Sequence, residues 1–125
     1  MSKMSNKPNE DQALEFDQYV EHWQTVLSLH NWRIERGRKP AKDAMASIEF
    51  DPPAKLATYR LGDFGGAEIT PETLSKTALH EILHVLLQDF MVAAKDPRTT
   101  DDQLEALEHG VINILEKVLY AASKN

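Results

Sequence analysis

The segment Thr77-Ala78-Leu79-His80-Glu81-Ile82-Leu83-His84-Val85-Leu86-Leu87 constrains this chain more than any other stretch. It sets a His80-Glu81-x-x-His84 pattern, HExxH, inside an apolar run. Side chains four apart on an α-helix lie one above the other, so His80 and His84 can converge on one ion. Glu81 sits about 100° further round. It can border such an ion without ligating it and hold a water that the ion acidifies, which suits zinc-assisted hydrolysis. The plainer alternative is an amphipathic helix whose two His and one Glu face water. Against it, Leu79, Ile82, Leu83, Val85, Leu86, Leu87, Phe90 and Met91 surround the helix on nearly every side, which predicts burial. Two imidazoles and a carboxylate on a buried helix need partners, and a metal ion supplies them.

A chain of 125 residues holds one domain with one modest core. The domain is expected over residues 10–125, behind a polar, disordered tail at 1–9. There is no cysteine, so a thiolate zinc site, a disulfide framework and a Cys nucleophile are excluded. The first residues lack the apolar core of a signal peptide, and no run approaches a membrane span. The expectation is a cytoplasmic protein with no membrane partner. A net charge of -6 argues against general nucleic-acid binding. The local basic run Arg33, Arg36, Arg38, Lys39 and Lys42 reads as a solvated hairpin rather than a nucleic-acid patch.

The elements follow from periodicity and punctuation. Asn9 with Gln12 forms an approximate capping box, and Phe16, Tyr19, Val20, Trp23, Val26 and Leu27 recur at helical spacing, so a first helix is expected from Glu10 to Leu29. His22 and His30, near the edge and end of its stripe, read as packing histidines rather than metal neighbours. Trp32–Arg36, Ala44–Phe50 and Lys55–Leu61 read as strands, with Asp51-Pro52-Pro53 stopping the second. Their turns imply an antiparallel meander. Ala67-Glu68-Ile69 is a possible fourth strand whose edge could hold an extended peptide. Gly65-Gly66 lacks the spacing of a phosphate loop. Thr70-Pro71-Glu72 starts the HExxH helix, expected to run to about Ala94 before Lys95-Asp96-Pro97. Thr100 with Gln103 caps a last helix reaching about Ala122. The fold class is thus α+β: an N-terminal helix, a small antiparallel-rich sheet, the HExxH helix and a C-terminal helix.

Catalytic zinc usually takes three protein ligands and a water. Leu87 and Phe90 stand where the metzincin pattern requires Gly and His, so that class is excluded. The last helix then has to supply the third ligand. Leu104, Leu107, Val111, Leu115, Val118, Leu119 and Ala122 define its apolar face, and Glu108 falls near the centre of that face. A carboxylate there needs a cation. An ordinary, partly exposed Glu is the alternative. Glu105, His109 and Glu116 fall on the flank; His109 is the other candidate ligand, or a donor to a developing oxyanion, a role open also to Tyr59 and Tyr120.

With these residues in place, the sequence resembles the smallest zincin metallopeptidases, the single-domain minigluzincin-like proteins, among them short phage-type metallopeptidases. The resemblance spans Trp32 to Leu119: a small sheet, the helix carrying His80-Glu81-Ile82-Leu83-His84, then a helix bearing Leu107-Glu108-His109. It implies a zincin-like domain in which His80, His84 and Glu108 bind zinc and Glu81 is the general base. Larger gluzincins place an acid four residues after the ligand Glu; here Ile112 stands there. His109-Gly110 also resembles the third-ligand dipeptide of the SprT-like group, although 24 residues separate His84 from His109.

The expected activity is zinc-dependent hydrolysis of a peptide or protein substrate, with Glu81 taking the proton of a zinc-bound water and passing it to the leaving amine. Two other readings stand beside it: a binding module on the same scaffold with a structural zinc, and a metal-free helical interaction domain.

Overall fold

The computed structural model describes residues 5–124. Three helices and three strands follow in the order α1 (Glu10–Val26), β1 (Arg33–Arg36), β2 (Ala46–Asp51), β3 (Leu56–Leu61), α2 (Pro71–Lys95) and α3 (Asp101–Ser123). The α+β architecture is as expected. Each helix begins where side-chain chemistry starts it. Asn9 Oδ1 accepts from Gln12 N at 2.8 Å while Gln12 Oε1 accepts from Asn9 N at 2.9 Å, closing the capping box of α1. Thr70 Oγ1 accepts from Thr73 N at 3.1 Å ahead of Pro71, and Thr100 and Gln103 repeat the box at α3.

α1 stops three residues short of Leu29, because Ser28 turns left-handed at φ 55°. The chain it releases is caught by Gln24, whose Nε2 donates to the carbonyls of Leu29 at 3.1 Å and Trp32 at 3.0 Å. Met1–Met4 of the tail lie outside the described residues. Within the rest of the tail, Asn6 N donates to Asp63 Oδ1 at 2.8 Å and Asn6 Nδ2 to the Ala67 carbonyl at 2.6 Å. Contacts with the body therefore begin before α1.

The sheet departs from a meander. Strand order is β1-β3-β2, with β3 antiparallel to β2 and parallel to β1. The hairpin through Pro52-Pro53 pairs Phe50 with Ala57 and Ile48 with Tyr59. The nine-residue connection from Gly37 to Met45 is long enough for β2 to skip its predecessor, leaving β3 to slot between them. The central strand buries Ala57 and Tyr59, which pack with Phe16 and Val20 of α1 and with Leu74, Ala78, Ile82 and Val85 of α2. Ala67–Ile69 is not a strand. Asp63 Oδ1 also accepts from Gly65 N at 2.7 Å and Gly65 adopts φ 57°, so the chain turns at Gly65-Gly66, and the Ala67 N–H donates back to the Phe64 carbonyl at 3.0 Å.

α2 buries one face only: Leu74, Ala78, Glu81, Ile82, Val85 and Leu86. The burial on nearly every side that its composition implied is not found, since His80, His84, Leu87 and Met91 are exposed. α3 lies against α2 and contains no fully buried residue. Its inner face is made of Val111, Ile114, Leu115 and Val118, half-buried. No helix among the described residues is long and apolar enough to cross a membrane.

Candidate metal centre

His80 and His84 emerge one turn apart on the solvent side of α2, their rings edge to face with centroids 5.1 Å apart. Their places follow from the helix wheel. The core-facing stripe of Leu74, Ala78, Ile82 and Val85 fixes the rotation of α2, and the two histidines fall roughly opposite it. Glu81 falls between the two sides. Its residue surface is only 6% exposed, and it borders a cavity of about 340 Å³ lined by Met45, Ala46, Lys76, Thr77, His80 and Glu81. Burial pushes the Glu81 carboxyl above its usual range, while the neighbouring His80 and His84 pull it down.

The cavity lies beside the outer edge of β2, because that strand pairs with β3 on its other side and begins at Ala46. Lys76 and Thr77 were missed in the sequence although they precede His80 and Glu81 by one helical turn, a spacing that could have found them. Nothing local foretold Met45 and Ala46.

Glu108 is placed differently from the expectation. It is exposed, not central to a buried stripe. Ile114 joins the inner face of α3 and Leu119 leaves it, 65% exposed. With that exchange the centre of the observed face lies about 70° from Glu108. The antiparallel packing of α3 also sets its height. Leu107 shares a cavity with Asp89, Val92 and Ala93, well beyond His84 along α2. Among the described residues, no three His, Asp or Glu side chains converge closely enough to hold one ion.

His109 is exposed and lies 3.8 Å from Glu105 on the same helix. The Tyr59 hydroxyl donates to Asp17 Oδ1 at 2.6 Å, within the α1–sheet interface, and Asp17 also pairs with Arg36 at 3.3 Å. That commitment takes Tyr59 out of the oxyanion role, and burial with the Asp17 hydrogen bond holds its phenol well above the usual range. Tyr120 is exposed, with Lys124 Nζ 4.6 Å from its ring centroid. His22 and His30 are both exposed rather than packed in the core, the His22 ring lying 4.9 Å from that of its neighbour Trp23.

The donor set therefore fits a zinc ion in part. Two imidazoles one helical turn apart can take two positions of a tetrahedral site, and Glu81 borders the same cavity as His80. A third protein donor is not beside them in the single chain. No protein-family model, curated protein or solved structure matches this chain.

Proposed function

We propose that the protein is a zinc-dependent peptidase of the HExxH type, acting on a peptide or protein substrate in the cytoplasm. The observation that carries the reading is the division of labour on α2, with two histidines bare to solvent and the intervening glutamate buried beside a cavity. His80 and His84 would hold the ion; Glu108, the carboxylate expected to complete the protein ligands, does not stand beside them within one chain. Zinc supplies Lewis acidity, polarising a carbonyl and bringing the pKa of a bound water toward ~7.

With the ion bound, Glu81 would be the group that takes a proton from the attacking water at its carboxylate and returns it to the leaving amine. A carboxylate whose affinity for protons is raised by burial suits the first of these tasks. The bare edge of β2 leaves room for an extended substrate next to the pair.

Metal analysis of protein purified without added zinc or chelator, coupled to turnover of an unfolded protein substrate, tests the reading. Zinc near one per chain is expected, with activity that Glu81→Gln abolishes while zinc remains. Full activity in Glu81→Gln ends the proposal. A specific feature favours a second reading, a binding module with a structural zinc: Leu87 and Met91 continue the histidine stripe as exposed apolar side chains. On that reading zinc is retained, no turnover is found in any variant, and Glu81→Gln is silent.

A further inference from the structure

The histidines of α2 begin a longer stripe. His80, His84, Leu87 and Met91 follow the i, i+4, i+7, i+11 spacing of a helix seam, and all four are exposed. On α3 the corresponding exposed positions are Glu108, Ile112 and Leu119, while Leu115 between them belongs to the half-buried inner face. Gly110, Val111 and Ile114 share a cavity with Ser28, Leu29 and Trp32 on the inner side of the helix pair. The stripe of α3 therefore lies on the opposite flank, beside that of α2. The two helices present one outward face with Leu87, Met91, Ile112 and Leu119 in it.

Those four side chains are 45%, 44%, 46% and 65% exposed. Together that amounts to two large side chains left fully bare, on the order of 350–400 Å² of apolar surface in one place, well within the range of the largest patch on a typical monomer. Two copies packed face to face would cover about 800 Å² of it. With the usual apolar share of a homodimer interface, about 65%, the whole interface reaches ~1,200 Å², the lower bound of a specific one.

Height along the helices selects the arrangement. Glu108 is next to Leu107, which lies level with Asp89–Ala93, so Glu108 stands about 9 Å along α2 from His84 in its own chain. Leu87 stands midway. A two-fold axis crossing α2 at Leu87 exchanges the two levels, bringing the acid end of one copy to the histidine end of the other. We infer that the chain pairs with a second copy through the outer face of α2 and α3, and that Glu108 of the partner subunit completes the His80–His84 site. The inference rests on the zinc reading above. It accounts for the exposure of Glu108, for the missing third donor within one chain, and for an apolar centre flanked by imidazole at one end and carboxylate at the other.

Sedimentation and zinc stoichiometry, measured together, provide the test. Wild type is expected to be a dimer with one zinc per chain. Leu87→Glu, a change at an exposed position, is expected to give a folded monomer by circular dichroism, with zinc affinity weakened by more than the roughly 10- to 100-fold that losing an outer partner costs. His84→Ala and Glu108→Ala each retain little zinc alone. Mixed and allowed to exchange subunits, they are expected to recover one zinc per heterodimer, since one intact site reassembles across the pair.

A wild type that binds zinc as a monomer, or a Leu87→Glu monomer that keeps wild-type affinity, overturns the shared site and leaves the zinc reading standing. A dimer whose mixed variants recover no zinc overturns the contribution of Glu108 from the partner subunit. A wild type without zinc affinity removes both readings, whatever its oligomeric state.

Discussion

His80 and His84 meet edge to face with ring centroids 5.1 Å apart, and the solvent side of α2 presents both. Their exposure makes the pair available to an ion at little cost in desolvation, because the imidazoles never leave water in the metal-free fold.

Zinc should therefore stabilise the folded chain by mass action. At a free concentration about 100 times Kd the gain is about 2.7 kcal/mol. Thermal unfolding in a zinc titration checks this, and His84→Ala is expected to flatten the response. A wild-type Tm insensitive to zinc would count against binding by the native state.

Ile82 is fully buried one position beyond the general-base candidate. Ile82→Ala removes a core side chain and leaves a cavity against Leu74, Ala78 and the α1 face, with an expected loss of about 2–5 kcal/mol in urea unfolding. A loss under about 1 kcal/mol would mean that the core can collapse around the gap.

Tyr59→Phe removes the donor to Asp17 while keeping the ring that stacks 5.6 Å from Phe16. Asp17 retains Arg36 as a partner at 3.3 Å. The expected loss is about 1–2 kcal/mol, with zinc binding unchanged. Altered zinc affinity in this variant would place Tyr59 closer to the His80–His84 pair than the Asp17 hydrogen bond allows.

Asp63 carries a clear pH signature away from the His80–His84 pair. Backbone N–H groups of Asn6 and Gly65 hold its carboxyl below the usual range. A folded-state pKa below the unfolded one contributes stability that is complete above the unfolded value and disappears as pH falls through the folded value. Wild type should thus be more stable than Asp63→Asn at neutral pH, and the gap should close progressively below about pH 4. Thermal melts of both proteins at pH 7 and pH 3 decide it; a gap that widens in acid would refute the assignment.

Much of the architecture could be read from local chemistry. Asn9, Thr70 and Thr100 started helices where their caps said they would, and Pro52-Pro53 turned β2 into β3. Strand order was not legible. The periodicity of Arg33–Arg36 and of Ala46–Asp51 says which face of each strand is buried. It does not say which strand will pair between them, because hydrogen bonding along a strand edge is nearly independent of sequence. The Ala67–Ile69 segment forms no strand for a related reason: the Ala67 N–H donates to the Phe64 carbonyl and the Ala67 carbonyl accepts from Asn6 Nδ2, local and side-chain bonds in place of a ladder.

The chain's own order of residues determined that His80, Glu81 and His84 share a helix, that the two histidines share a face, and that Glu81 stands off it, since these relations depend only on the pitch of an α-helix. Packing alone decided which face meets the core. It buried Glu81, bared both imidazoles, and rotated α3 so that Glu108 points to solvent. That rotation is set by the sum of contacts along Val111, Ile114, Leu115 and Val118, which no single helix wheel contains, because a helix with several apolar positions has more than one plausible inward side until its neighbour is in place.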